Sequence, residues 1–256
     1  LAMSLNAEGN RNDAIDVYKT FISKNADIAE AHNNLGVLLQ ENGQRVEAIE
    51  SYETAISRNR SYLDAHYNLA SNLYANNDLI KAKSSIDTAL TLDPSNSQFN
   101  NLLGLTLLDQ GNLEEAKNSF TNALVNRPIY RAALFNLART YYYENSLEEA
   151  ANHYIKFLSL EPENAEAHNN LGNVKRKQGL FKEAIMSYDN AIRLNTQFYD
   201  AITNKGIVFQ EEARIEEALE CYQSVIVLDP ENVEAISKKG SALTAIGQLS
   251  EAIALL

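Results

Sequence analysis

Apolar positions recur along this chain at helical spacing, in short blocks separated by glycine, asparagine and proline. In residues 29–42, His32, Leu35, Gly36 and Leu39 fall at i, i+3, i+4 and i+7, on one stripe of a helix. Gly43 then supplies a residue that tolerates the left-handed backbone ending a helix. A second helix is expected to run to about Ile56, followed by a short loop. The pattern predicts a helical hairpin, and the hairpin returns every 34 residues.

The punctuation fixes that period. Gly36, Gly104, Gly172, Gly206 and Gly240 lie at multiples of 34 from one another, and Gly9, Gly43, Gly111, Gly179 and Gly247 repeat the step seven residues later. Pro94, Pro128, Pro162 and Pro230 share a third lattice, so one period accounts for all 10 glycines and all 4 prolines. With Ala29 as slot 1, full units occupy 29–62, 63–96, 97–130, 131–164, 165–198 and 199–232, flanked by partial units 1–28 and 233–256. Slot 15 is Gly or Asn in every unit but one, where it is Ala213. Slot 16 offers N-cap side chains at Asn10, Asp78, Asn112 and Ser146, and Glu115 and Glu149 complete the pattern of a capping box. Proline at slot 32 stops the second helix from continuing.

Two slots are stricter still. Slot 8 is Gly or Ala throughout (Ala2, Gly36, Ala70, Gly104, Ala138, Gly172, Gly206, Gly240), and slot 20 is Ala in all eight units. Small residues there let two helix backbones approach, and a larger side chain would overpack the contact at about 1–3 kcal/mol. Slot 24 carries the large partner: Tyr18, Tyr52, Ile86, Phe120, Tyr154, Tyr188, Tyr222 and Leu256.

This slot pattern resembles the tetratricopeptide repeat family along the whole chain. The chain departs from the family at slot 4, where His32, His66, Asn100 and His168 stand in place of Trp, and at slots 7 and 11, where Lys205, Lys239 and Lys175 replace apolar residues. Phe21 and Phe157 fill slot 27, where a small residue is usual. The resemblance implies an all-α fold, a right-handed α-solenoid superhelix of helix-turn-helix units whose first helices line a concave groove. It also implies a non-catalytic scaffold that binds an extended peptide or protein segment there.

Composition agrees with helices joined by short loops. Hydrophobic residues make up 45% of the chain and charged residues 22%, which suits a folded protein. The net charge of −12 has the wrong sign for gripping a phosphate backbone, so no nucleic-acid partner is expected. The longest apolar run, 102–108, is too short to span a bilayer, and no membrane insertion is expected. One cysteine excludes an internal disulfide framework. The compartment stays open. His32, His66 and His168 share a packing slot, and His153 and Cys221 lie two units apart, too far for a nucleophile pair. Each glycine has a structural place, so no phosphate loop remains. No catalytic residue, metal site or cofactor is expected.

Choices that packing does not dictate should appear on the free face of the first helix. Slot 6 reads Asn34, Asn68, Leu102, Asn136, Asn170, Asn204 and Lys238. Asn is a mediocre helix former, so the column has a purpose: clamping a ligand's backbone through its donor and acceptor, or an inter-repeat hydrogen bond. Both readings stand at this point. The column is similar to the asparagine ladder in the superhelical repeats of O-linked N-acetylglucosamine transferases, which gives an alternative role as the substrate-recruiting arm of a larger enzyme such as a glycosyltransferase. Tyr67 and Tyr74, then Phe135 and Tyr142, occupy slots 5 and 12 and would supply apolar contact with a polar tip; filling space against neighbouring helices is the alternative.

Charge varies along the same face. Slot 2 is acidic at Glu30, Asp64, Glu166, Asp200 and Glu234, whereas Arg139, Arg176 and Lys177 concentrate positive charge that would meet acidic groups. The family's carboxylate clamp is matched by Asn173 and Asn204, with Lys238 for its last Arg, but Asn169 and Glu234 stand where Lys is needed, so no clamp is expected. The repeat pattern begins inside a first helix and stops inside a second, which suggests a piece of a longer protein able to self-associate head to tail.

Overall fold

A computed structural model of the chain describes residues 10–254. Ala2, Gly9 and Leu256, on which the repeat pattern also draws, lie outside the described residues. Two compact units divide the chain, residues 1–133 and 134–256. The first holds α1 (Arg11–Lys24), α2 (Ala29–Glu41), α3 (Arg45–Arg58), α4 (Leu63–Ala75), α5 (Leu79–Leu92), α6 (Ser97–Asp109), α7 (Leu113–Asn126) and the start of α8 (Arg131–Tyr143). The second holds the rest of α8, then α9 (Leu147–Leu160), α10 (Ala165–Lys177), α11 (Phe181–Leu194), α12 (Tyr199–Glu211), α13 (Ile215–Leu228), α14 (Val233–Ala245) and α15 (Leu249–Ile253). No strand occurs among the described residues.

Within each unit the helices pack as hairpins, α2 with α3, α4 with α5 and α6 with α7, then α10 with α11 and α12 with α13. Within each unit successive hairpins stack, α3 on α4 and α5 on α6, then α9 on α10, α11 on α12 and α13 on α14. First helices also touch first helices, α2 with α4, α4 with α6, α10 with α12 and α12 with α14. The architecture is an α-solenoid of helix pairs. First helices end at slot 13, and the second helices α1, α3, α5, α7, α9, α11 and α13 reach slot 30, two residues beyond the expected end.

The hinge of each hairpin is a left-handed residue. Gly43, Gly111, Gly179 and Gly247 have φ between 74° and 80°, and Asn77, Asn145 and even Ala213 follow them at 60°, 63° and 60°. Just past this hinge, the capping expectation is corrected. Asp78 accepts a bond from the Lys81 N–H, but Asn10, Asn112 and Ser146 make no side-chain cap, so neither capping box forms. The slot-16 backbone N–H closes the preceding helix, as Asn112 N does on Leu107 O and Ser146 N on Tyr141 O, both at 2.9 Å. Asp78 makes the same bond, to Leu73 O at 2.9 Å, and has the same ψ near 70°, so this backbone permits a side-chain cap without enforcing one. Side-chain caps occur instead at slot 34, where Asn96, Asn164 and Asn232 accept from the first turns of α6, α10 and α14.

The knob-and-hole expectation takes a measurable form. A Cβ built on Gly36, Gly104 or Gly172 would lie 2.5 Å from the ring of Tyr52, Phe120 or Tyr188. Those rings are fully buried, each worth about 1.5–3 kcal/mol of burial. The departures from the family pattern are also accommodated. His32, His66 and His168 donate Nε2–H to the slot-32 carbonyls of Ala26, Arg60 and Pro162 at 2.9–3.0 Å, and Asn100 does the same to Pro94 at 3.1 Å. Lys175 and Lys205 reach Glu183 at 2.8 Å and Asp189 at 2.7 Å.

Candidate functional site

Neighbouring first helices meet in a register of 35 residues, one period plus one. Asn68 Nδ2 donates to Asn33 Oδ1 at 2.9 Å, and Asn204 Nδ2 to Asn169 Oδ1 at 3.1 Å. The Tyr74 hydroxyl donates to Asp109 at 2.6 Å, and Arg176 Nη1 to Glu211 at 2.8 Å. Lys177 Nζ sits 4.1 Å from the centroid of the Tyr142 ring. The period sets which slots meet; the extra residue is the offset between adjacent helices.

In the first unit, Asn33, Asp64, Tyr67, Asn68 and Phe99 line a recess of about 230 Å³. Tyr67 meets Phe99 edge to face, with centroids 5.7 Å apart, so it both packs and lines. Asn34 is half-buried on the same helix face.

The second unit has a recess of about 290 Å³ bounded by Arg139, Tyr142, Tyr143, Glu166, Asn170 and Asn173, with Tyr154 among its walls. Tyr154 is a slot-24 knob whose ring is only 1% exposed. Burial raises its hydroxyl above the ordinary tyrosine value, with Arg139 and Asn170 beside it. Other knobs present their hydroxyls in the same way: Tyr188 donates to Asn173 Oδ1 at 2.8 Å, Tyr52 to Gln40 at 2.9 Å and Tyr222 to Gln210 at 3.1 Å. Burial raises these three as well, so each stays a protonated donor at neutral pH. The ring fills the hole, and the hydroxyl serves the first-helix face.

The structure thus brings Arg139, Tyr142, Asn170 and Asn173 into one recess. Arg176 and Lys177 are engaged by Glu211 and Tyr142, and Asn68 and Asn204 spend one amide hydrogen on the neighbouring repeat. Asn136 is buried. Phe135 is half-buried and lies edge-on to Tyr154 and Phe157, at 5.6 and 5.3 Å between centroids, which is the packing alternative for that aromatic. It also explains the large residue at Phe157. Glu166, read from the sequence as a slot-2 acid on this face, joins the recess, and Tyr154, read only as a packing knob, completes it. The available signal was Tyr rather than Phe at slot 24, a hydroxyl that a purely apolar knob does not need.

Among the described residues no group of three His, Cys, Asp or Glu could hold a metal ion. Burial pushes the Cys221 thiol up to about 11, which leaves it protonated and poorly nucleophilic at neutral pH. No helix among the described residues is long and apolar enough to cross a membrane.

Comparison with known proteins agrees with the hairpin geometry. Models described as tetratricopeptide repeat match residues 29–62 and 165–198, and 67–117, 101–154 and 203–256, while a model described as TPR repeat matches 138–179. No match is found among curated proteins. Among solved structures, the APC/C hetero-tetramer Cut9–Hcn1 is similar at a TM-score of 0.73 and 18% identity over 94% of this chain. The chain spans about half, 48%, of that protein's length. PilW, a type IV pilus biogenesis factor, is similar at 0.75 and 18% identity over 82% of this chain and 97% of its own. YrrB, a TPR protein with an unusual peptide-binding site, gives 0.63 and 23% identity over 75% of this chain and 98% of its own. Repeats of this kind are protein–protein interaction scaffolds and generally non-catalytic. With hairpins, hinges and small-to-large contacts all in the family's register, the chain belongs to the tetratricopeptide repeat family.

Proposed function

We propose that the chain binds an extended peptide or protein segment along the face built by its first helices. The observation that carries this reading is the recess of the second unit, where Arg139, Tyr142, Asn170 and Asn173 converge beside a buried tyrosine hydroxyl. Amides and hydroxyls offer directional bonds to a peptide backbone, and tyrosines give contact area at low entropic cost. In the second unit Asn204 on α12 adds hydrogen-bonding capacity beyond its inter-repeat bond; in the first unit Asn68 does the same on α4, and Asn34 is half-buried on α2. That YrrB, a protein of similar fold, has a peptide-binding site is consistent with the reading.

Panning a random peptide library against the whole chain tests it. Enriched peptides are expected to lose at least tenfold in affinity for Tyr142→Ala, which keeps the slot-8 and slot-20 contacts intact, and for Asn173→Ala, whose fold is checked by circular dichroism because it removes the acceptor of the Tyr188 hydroxyl. Peptides that bind both variants as well as the parent would place the site elsewhere.

A further inference from the structure

The three cations on the first-helix face of the second unit differ in what surrounds them. Arg176 is paired with Glu211 at 2.8 Å, and Lys177 lies over the Tyr142 ring at 4.1 Å. Arg139 forms no ion pair among the described residues, and its Nε–H is shut off from solvent with no acceptor. Arg176 Nε shares that condition, but its charge is already neutralised. Arg139 thus lines a recess walled by Tyr142, Tyr143, Tyr154, Asn170 and Asn173 with no carboxylate partner among the described residues, and its guanidinium can pair there with a planar anion. The recess holds one further charge, Glu166, which makes no ion pair with Arg139.

Resting on the reading of this face as a peptide site, we infer that the recess selects a carboxylate side chain of the bound segment. A Glu or Asp pairs with Arg139, and a basic residue next to it in the segment meets Glu166. The charge balance separates this ligand from a phosphorylated one. Glu166 repels any anion in proportion to its charge, so a carboxylate of −1 suits the single Arg139 guanidinium better than a phosphate of about −1.5 to −2. The net charge of −12 on the whole chain further disfavours strongly acidic segments. The preferred motif is therefore an isolated acid flanked by base.

The test is a titration of the whole ¹⁵N-labelled chain with the peptide acetyl-Ser-Ala-Lys-Glu-Lys-Ala-Ser-amide and with versions carrying Gln or phosphoserine for Glu, following the Arg139 Nε–H and the Asn170 and Asn173 amides. The Glu peptide is expected to shift Arg139 saturably with a Kd at least fivefold below that of the Gln peptide. Arg139→Gln should erase the difference between the two. Equal affinity for Glu and Gln peptides, both still shifting the asparagines, overturns the carboxylate preference and leaves the peptide-binding reading standing. Tighter binding of the phosphoserine peptide overturns it in favour of phosphate. Absence of any shift on the first-helix face sinks both. The Glu–Gln comparison needs no variant, so a poorly folded Arg139→Gln protein would not blunt it.

Discussion

The side-chain amide of Asn204 donates to Oδ1 of Asn169 at 3.1 Å, joining α12 to α10 across 35 residues, and Asn68 does the same to Asn33 at 2.9 Å. The asparagine column thereby has a use that needs no ligand. One amide hydrogen goes to the neighbouring repeat, and Asn204 keeps a second N–H and its Oδ1. Stitching repeats and presenting a polar edge are compatible in one side chain.

The stitch should be measurable as a coupling. Asn204→Ala and Asn169→Ala are each expected to destabilise by about 1 kcal/mol, because Asn169 is buried and a lost partner leaves it unsatisfied. Their double mutant should recover about 0.5–1 kcal/mol relative to the sum. Contacts in a solenoid are local, so hydrogen exchange of α10 and α12 is the appropriate readout. Strict additivity would show that the bond contributes nothing.

Ala213 is the exposed hinge of the α12–α13 hairpin and holds φ at 60°, where every other described hinge is Gly or Asn. A Cβ in that conformation costs about 1–2 kcal/mol, while glycine loosens the unfolded chain by roughly 0.4–1 kcal/mol. Ala213→Gly is therefore expected to stabilise by about 0.5–1 kcal/mol, read as slower exchange in α12 and α13 or a higher melting temperature. A destabilised Ala213→Gly protein would mean the backbone strain is absent.

Opposite signs are expected for two glycines in the same slot. A Cβ on Gly172 would sit 2.5 Å from Tyr188, whose hydroxyl is held by Asn173, so the ring cannot yield freely. Overpacking of about 1–3 kcal/mol then outweighs a helix-propensity gain of at most about 1 kcal/mol. Gly240 meets nothing within 4 Å, so Gly240→Ala should stabilise by about 0.8–1 kcal/mol. Ala138, which shares the slot, shows that the family tolerates a Cβ where the hairpin is spaced for one. If thermal melts of Gly172→Ala and Gly240→Ala move up together, the small slot is not a steric contact.

Much of the fold was legible because turn chemistry and packing volume repeat: Gly43 and Gly179 mark hinges, and Gly172 opposite Tyr188 marks a hole and its knob. The caps were not: Ser146, Asn112 and Asp78 carry cap-forming side chains on the same backbone, yet only Asp78 accepts from its first turn. On the candidate site, the free-face slots located Arg139, Tyr142, Asn170 and Asn173. The partners of Arg176 and Lys177 were hidden, because a 34-residue period does not reveal the one-residue offset that brings Glu211 and Tyr142 to them. Tyr154 was read as volume, and its hydroxyl went unused in that reading.

Acid should loosen the α5–α6 loop in a defined way. Ser95 Oγ donates to Asp93 Oδ1 at 2.8 Å, and Asn96 Nδ2 donates to Oδ2 at 3.1 Å. These two bonds hold the Asp93 carboxyl below its ordinary value of 3.8. Asn96 in turn caps α6 by accepting from the N–H groups of Gln98 and Phe99 at 3.1 and 3.3 Å. A carboxyl whose pKa is lower folded than unfolded stabilises fully above the unfolded value and loses that contribution as pH falls through the folded one. The Asp93 ¹³Cγ resonance is thus expected to titrate with a midpoint below 3.8, and the first-turn amides of α6 to lose exchange protection in step with it. Asp93→Asn should remove the acid-linked part of that loss and leave the Asn96 cap unchanged near neutral pH. A midpoint at or above 3.8 would show that the two donors do not hold the carboxylate in solution.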